Sequence, residues 1–207
     1  MMRTWIAILL CLTMAHCQVL GGKQMSQAVP NNKGVWLKLR AMVKIDQDLR
    51  LRLIESMKAN KMADFEVLEK QLRWIDRENT GQLQQIVRTY GWPTKSLVGK
   101  EGASNAFLIV QHADLNPKFQ RECLDLMAPL LHMDEVSKRD YAYLTDRVLL
   151  AEGKKQIYGS QFEKDKSGRW VPRALEDPVN VDKRRAVMGM EPIFEYQKLI
   201  EKMYGGG

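Results

Sequence analysis

Cysteine and histidine are scarce in this sequence, which has three residues of each type among 207. Cys11 and Cys17 lie near the N-terminus and leave Cys123 without an obvious partner, so the sequence is not that of a disulfide scaffold. Beyond the first twenty residues the histidines are His112 and His132, which lack the paired spacing of zinc ligands. We therefore predict no metal site and no cofactor.

Glycine-rich nucleotide signatures and long apolar runs are missing as well. The sequence has no phosphate-binding glycine loop, nucleophile elbow or dinucleotide fingerprint. Beyond the first twenty residues, no window approaches the roughly 20 apolar residues that a membrane helix needs. Basic and acidic residues alternate, as between Lys58 and Lys70, so the net charge of +7 indicates a solvated surface and no nucleic-acid partner.

Residues 1–17 have the pattern of a signal peptide or lipoprotein leader. Arg3 precedes an apolar run from Trp5 to Ala15 that is too short to span a bilayer. Processing could leave Cys17 as a lipidated first residue, although His16 is a poor match to the small residue that a lipoprotein peptidase prefers. We predict export, to the periplasm or outer membrane as a lipoprotein and otherwise by secretion. Membrane contact is expected only through the lipid anchor, and the alternative is an uncleaved N-terminus.

Composition divides the remaining chain into a flexible tether, residues 18–36, and a single helical domain, residues 37–204. The tether is rich in Gly, Gln, Asn and Ser, whereas the domain shows a 3.6-residue apolar period over most of its length. We predict a mainly α (α+β) fold, an orthogonal helical domain of about seven helices with one small β-hairpin. Cys123 has helical spacing with Phe119 and Met127 and is interpreted as a small core residue, not a nucleophile.

Apolar spacing and cap residues set the predicted helix bounds. Asp76 and Asn79 are interpreted as cap residues at a break between the second and third helices. Residues 94–101 are predicted to form a loop. The predicted helices are Leu37–Met57, Phe65–Asp76, Leu83–Tyr90, Ala103–Ala113, Pro117–Leu131, Val136–Glu152, Val181–Arg185 and Pro192–Tyr204.

Two stretches place polar residues in apolar surroundings. The helix predicted to end at Ala113 is apolar on every side, so His112 lies where the interior meets a loop, held there by the helix dipole or by a function. The second stretch, Gln156 to Gln161, continues into a hairpin whose turn is Lys164 to Gly168. A bulge at Gly159 would bring Gln156 and Gln161 to the same side of the first strand.

Seven motifs in chain order resemble a bacterial family of domains of unknown function. The resemblance covers about residues 40–200. It implies a shared helical fold with a polar site near His112 and Gln161, but no activity. That family has Tyr-Gly-Thr-Gln in the glutamine-flanked motif, so Ser160 is a departure that keeps the hydroxyl group. The motifs are Gly91-Trp-Pro93, Val98-Gly99, Gln111-His-Ala-Asp114, Tyr143-Leu-Thr-Asp-Arg-Val148, Gln156-Ile-Tyr-Gly-Ser-Gln161, Glu176-Asp-Pro178 and Val181-Asp-Lys-Arg-Arg185.

Two classes of function fit these residues. In the first, the protein is a hydrolase or transferase acting on a small anionic substrate, with His112 as catalytic base or acid and Asp146 or Asp114 orienting it. In the second, it is a non-catalytic envelope lipoprotein or binding module whose polar cluster is structural. The enzyme hypothesis predicts that His112, Asp146, Tyr158 and Gln161 converge on one pocket for a small-molecule ligand. The residues assigned to substrate binding are Gln111, Asp114, Arg147, Gln156, Tyr158, Gln161, Arg184 and Arg185.

Overall fold

The computed structural model describes residues 30–204, which form two compact units. We call residues 30–136 the N-terminal unit and residues 137–204 the C-terminal unit. The predicted leader, the lipidation site Cys17 and most of the predicted tether lie outside the described residues. Between residues 30 and 204, none of the helices combines the length and apolar character of a bilayer-spanning segment. The assignment of residues 37–204 to a single domain stays a prediction.

The N-terminal unit consists of four α-helices and a short 3-10 helix. Asn32, Thr94 and Asn116 each accept a hydrogen bond from a backbone N–H in the first turn of the helix that follows, which fixes where three of these helices begin. Buried apolar side chains then line the facing sides of the helices. The elements are α1 (Lys33–Lys58), α2 (Met62–Tyr90), α3 (Lys95–Gln111), α4 (Pro117–Met127) and a 3-10 helix (Ala128–Met133).

Two predicted boundaries in this unit are wrong. Helix α2 continues through the expected break, where Asn79 and Thr80 are buried and the Thr80 hydroxyl donates to the carbonyl of Asp76 at 2.6 Å. Burial against other helices outweighs the weak local preference of these residues for helix ends. The expected loop before residue 103 is part of α3, and only Gly99, with φ of 73°, departs from helical geometry.

The C-terminal unit consists of three helices around a two-stranded antiparallel hairpin. The elements are α5 (Lys138–Ala151), β1 (Phe162–Lys164), β2 (Trp170–Pro172), α6 (Val181–Val187) and α7 (Ile193–Tyr204). Glu163 faces Val171 across the hairpin, and the rings of Phe162 and Tyr196 meet edge to face at a centroid distance of 5.5 Å. With seven α-helices and one hairpin among the described residues, the predicted mainly α fold is confirmed.

The strand predicted to run through residues 156–161 is shorter than expected. Gln156 forms an isolated parallel bridge with Leu175, and the regular ladder begins at Phe162. Gly159 has φ of 65°, a left-handed conformation that interrupts a strand and favours glycine. We call residues 156–161 the glutamine loop.

Candidate functional site: two buried polar clusters

Three segments of the N-terminal unit bring four ionisable side chains together, three of them buried and the fourth, Asp76, half-buried. Asp46 and Arg50 lie four residues apart on α1, Asp76 is in the middle of α2, and His112 caps the C-terminus of α3. Nδ1 of His112 lies 3.1 Å from Oδ1 of Asp46. A guanidinium nitrogen of Arg50, Nη2, lies 3.0 Å from Oδ1 of Asp46 and 2.6 Å from Oδ1 of Asp76. We call these four residues the Asp-His cluster.

The position of His112 is fixed by the end of its helix. Gln120, on α4, donates from Nε2 to the carbonyl oxygens of Val110 at 3.1 Å and Gln111 at 3.3 Å. These carbonyls belong to the last turn of α3, where helices leave acceptors unsatisfied. The α4 side chain therefore secures the turn that carries His112 toward Asp46.

The two carboxyl groups of the cluster have pKa values shifted in opposite directions. Burial raises the pKa of Asp46, but the nearby His112 and Arg50 outweigh burial and lower it well below its usual range. Burial raises the pKa of Asp76 to about 7, with Arg50 opposing the shift and the charge of Asp46 adding to it. Asp46 is therefore ionised at neutral pH, whereas the pKa of Asp76 lies near neutral pH. Acid–base sites need two groups whose pKa values differ in this way.

This geometry has a direct chemical consequence for His112. A carboxylate beside Nδ1 favours a proton on Nδ1 and orients the ring, and Nε2, the other ring nitrogen, is buried. The side chain of Asp76 is 14% exposed, against 2% for Asp46, so Asp76 is the carboxyl group nearer to solvent. The cluster thus combines an oriented imidazole with a carboxyl group that can donate or accept a proton.

Three residues of the cluster could also hold a metal ion. Ligand atoms of Asp46, Asp76 and His112 all lie within 4.8 Å of one another. However, the guanidinium of Arg50 is already bonded to both carboxylates and repels a second cation. The arrangement therefore favours proton transfer over metal binding.

Sequence reasoning missed Asp46 and Arg50, and it read Asp76 as a helix cap. The signal was present, because the buried stripe of α1 runs from Met42 to Leu53 through the positions of Asp46 and Arg50. Charged residues at core positions of an amphipathic helix are unusual unless they are paired. Their partners lie on other helices, however, and could not be identified from α1 alone.

Two further predicted site residues flank His112. Gln111 is buried, and its Oε1 atom has no hydrogen-bond partner among residues 30–204. Asp114 is exposed and accepts a hydrogen bond from Nε2 of Gln120 at 3.1 Å. The Asp46 carboxylate contacts the His112 ring in this unit. The substrate-binding roles of Gln111 and Asp114 stay predictions.

The second cluster is centred on Asp146, which is 0% exposed on α5. Its Oδ1 atom accepts hydrogen bonds from the backbone N–H groups of Ile157 at 2.7 Å and Tyr158 at 2.9 Å. Its Oδ2 atom accepts from the N–H of Ser160 at 2.8 Å. Burial raises the pKa of Asp146, and these three donors oppose that shift. A single carboxylate thus fixes most of the glutamine loop against α5.

The two glutamines of this loop bond to each other through side chain and backbone. The N–H of Gln161 donates to Oε1 of Gln156 at 3.0 Å, and Nε2 of Gln156 donates to the carbonyl of Gln161 at 3.0 Å. Nε2 of Gln156 also donates to the carbonyl of Arg173 at 2.8 Å. The side-chain amide of Gln156 therefore bonds backbone groups of Gln161 and Arg173, as a peptide group of a neighbouring strand would in a regular sheet.

The predicted substrate-binding arginines also contact the glutamine loop. Arg184 donates from Nε to the carbonyl of Ile157 at 3.0 Å and pairs with Asp177 at 3.2 Å. Arg185 donates from Nη1 to the carbonyl of Tyr158 at 2.8 Å. Arg147 is buried on α5. Most donors of Arg184 and Arg185 therefore bind the protein's own carbonyl groups.

The structure thus groups the predicted site residues by unit. His112, Gln111 and Asp114 belong to the N-terminal unit, and the other predicted residues, including Asp146 and Gln161, belong to the C-terminal unit. The convergence of His112 with Gln161 stays a prediction, and so does a catalytic role for Asp146.

The chain belongs to the family of unknown function DUF6624, whose model matches residues 34–206. The predicted resemblance to a domain of unknown function is confirmed at that level, and the bacterial origin stays an expectation. No curated protein and no solved structure matches the chain.

Proposed function

We propose that the protein is a hydrolase or transferase whose acid–base centre is the Asp-His cluster. The observation that carries this proposal is the 3.1 Å contact between Nδ1 of His112 and Asp46, beside Asp76 with its pKa raised to about 7. An oriented imidazole next to a carboxyl group that titrates near neutral pH supports general acid–base catalysis.

In the proposed mechanism, each member of the cluster has one role. Nε2 of His112 removes a proton from water or a substrate hydroxyl group, and the Asp46 carboxylate stabilises the imidazolium that forms. The oxygen that loses this proton bonds to the acyl or phosphoryl centre of the substrate while the bond to the leaving group breaks, and protonated Asp76 gives its proton to the leaving group. Solvent then takes the proton from His112 and returns one to Asp76. Arg50 keeps the two carboxyl groups in place through its bonds to both.

The proposed substrate is a small anionic molecule. The net charge of +7 favours the approach of anions to the protein. Arg184 and Arg185, which the sequence assigned to substrate binding, both donate to carbonyl groups of the glutamine loop and therefore add little support.

A second candidate is a non-catalytic envelope or binding module in which both clusters are structural. The observation that favours it is the burial of the Asp46–Arg50 pair, because satisfied buried networks fix one packing arrangement. In that case the cluster contributes to stability and not to turnover.

Replacing His112 by Ala separates the two candidates. The assay measures hydrolysis of a panel of chromogenic phosphate and carboxylate esters, together with the urea midpoint of each variant. The matched control is His132→Ala, which removes an exposed histidine of the same unit. An enzyme should lose on the order of 100-fold or more in turnover through His112→Ala and Asp76→Asn while remaining folded. Activity that falls only with the folded fraction, or a wild-type chain that turns over none of the panel, favours the structural candidate.

We also propose export, with Cys17 as the lipidated residue. The support is the leader pattern in the first 17 residues, from Arg3 through the apolar run to Cys17. Cell fractionation with mass spectrometry of the N-terminus should find a processed chain in the envelope. Cys17→Ser should release the chain from the membrane fraction, and a cytosolic chain that retains Met1 would contradict export.

A further inference from the structure

One side of the α1–α2 pair contains a cavity of about 380 Å³ beside the turn that joins the two helices. Arg52 and Glu55 line it from α1, and Asp64 lines it from α2. The apolar side chains of Val67 and Leu68, also on α2, form another part of its wall. This volume lies at the lower end of the range for small-molecule sites and is large enough for one aromatic side chain.

Two large apolar side chains lie exposed on the same side of the helix pair. Trp74 is 59% exposed and follows Val67, a cavity residue, by about two helical turns on α2. Ile45 is 52% exposed and precedes Arg52, another cavity residue, by about two turns on α1. Because the two helices are joined at the cavity end, Trp74 and Ile45 both lie about 10 Å further from the turn. Large apolar side chains grouped on a surface mark an interaction site.

A cavity and an exposed Trp on one surface fit a second copy of that surface. A two-fold axis perpendicular to α2 places two copies of this helix antiparallel, so that every contact occurs twice. When Trp74 of one copy lies at Val67 of the other, each indole enters the cavity of the opposite copy. The same register places Asp64 of one copy opposite Arg77 of the other, because both pairs of residue numbers have the same midpoint. Shape and charge are therefore both complementary in this arrangement.

The area and the charges of this face also suit a second copy. Helix α1 has 26 residues and α2 has 29, so the pair is about 40 Å long and about 20 Å wide. The resulting area of about 800 Å² is what each partner contributes to a standard interface. Two cations, Arg52 and Lys61, line the cavity together with two carboxylates, Glu55 and Asp64. A nucleic acid or an anionic membrane would be repelled by these carboxylates, whereas a second copy brings both signs of charge.

We propose that the chain forms a two-fold symmetric homodimer through this side of α1 and α2, with Trp74 of each copy in the cavity of the other. The dimer does not depend on the proposed acid–base function, since its contacts use other residues and its detection requires no turnover.

Sedimentation velocity of the full chain tests the dimer. The chain should sediment as a dimer at about 100 μM, because an interface of this area gives micromolar or tighter association. Trp74→Ala should raise the dissociation constant at least about 30-fold, since a central Trp is typical of the residues that dominate an interface. The matched control is Tyr90→Ala, which removes an exposed aromatic side chain about four and a half turns further along α2, on the opposite side of the helix. The control should change the dissociation constant less than about twofold.

Disulfide cross-linking tests the register of the dimer. The two copies of position 71 lie beside the proposed two-fold axis, so Gln71→Cys should form a covalent dimer on mild oxidation. The matched control is Gln85→Cys, about four turns further along the same side of α2, where the two copies lie about 40 Å apart and should not cross-link. Both changes are made together with Cys11→Ser and Cys17→Ser, and Cys123 is kept because it is buried.

Three results would overturn the proposal. The first is a wild-type chain that is monomeric at about 100 μM, which would leave this face to a different protein or to a membrane. The second is an equal effect of Trp74→Ala and Tyr90→Ala on the dissociation constant. The third is an equal yield of covalent dimer from Gln71→Cys and Gln85→Cys.

Discussion

Replacing Asp146 by Asn changes the centre of the glutamine loop with little change in size. The substitution removes the negative charge and converts one of the two acceptor oxygens into an NH₂ donor. If the remaining oxygen keeps the N–H groups of Ile157 and Tyr158, the new NH₂ group faces the N–H of Ser160. Two donors then point at each other in a buried position.

The expected loss follows from these three contacts. A buried N–H left without an acceptor costs about 1 to 3 kcal/mol, and each of the two remaining bonds weakens because its acceptor is no longer charged. The neutral amide avoids part of the desolvation that raises the pKa of Asp146, which offsets some of this loss. We expect Asp146→Asn to lower the free energy of unfolding by about 2 to 4 kcal/mol, a large part of the 5 to 15 kcal/mol that is typical of a folded domain.

Urea unfolding followed by circular dichroism measures this change. The matched control is Asp165→Asn in the hairpin turn, where the carboxylate also accepts backbone N–H groups, those of Ser167 and Arg169. Water can replace those exposed bonds, so the control should change stability little. A loss below about 0.5 kcal/mol for Asp146→Asn would refute the reasoning, because the loop amides would then have other acceptors.

Asp76 should make stability depend on pH, because the pKa of its side chain is 3.8 in an unfolded chain and about 7 in the folded protein. The folded state therefore binds more protons than the unfolded state between about pH 4 and 7. The free energy of unfolding should fall as pH rises, by at most about 1.4 kcal/mol per pH unit. Equal slopes of unfolding free energy against pH for wild type and Asp76→Asn would contradict this. Cys123 is buried with a raised pKa, so iodoacetamide should modify it far more slowly in the native chain than in urea, and equal rates would contradict the burial. Gly159→Ala should lower the urea midpoint more than Gly153→Ala. A Cβ added at Gly159 would lie 2.5 Å from Cδ1 of Ile193, whereas a Cβ added at Gly153 would meet no atom within 4 Å. Both substitutions share the positive-φ penalty of about 1 to 2 kcal/mol, so equal losses would show that Ile193 moves aside.

Local sequence patterns predicted those parts of the fold that depend on neighbours along the chain. Apolar spacing located α1 because its buried side chains repeat every three or four residues, as from Leu39 to Leu53. Pro117 and the preceding Asn116 marked the start of α4. The same spacing correctly placed Cys123 in the core.

Tertiary packing decided the parts that the sequence did not predict. Asn79 and Thr80 resemble a helix end when they are read locally, but burial keeps them inside α2. Gly99 resembles the centre of a loop, yet the helical segments on both sides of it belong to α3. In each case a helix propensity of well under about 1 kcal/mol per residue competes with the burial of side chains, which contributes more to the free energy of folding.

The polar clusters raise a different question, namely which carboxyl group is suited to proton transfer. Asp146 accepts three backbone N–H groups, so protonating it would disrupt the bonds that fix the glutamine loop. Asp76 is bonded to Arg50 through one oxygen, and its pKa of about 7 lets it gain and lose a proton near neutral pH. The proposed acid–base chemistry therefore fits Asp76 and His112 better than Asp146, whose catalytic role stays a prediction. The sequence favoured Asp146 as a partner of His112, whereas the contacts of Asp46 and Asp76 form only when α1, α2 and α3 pack together.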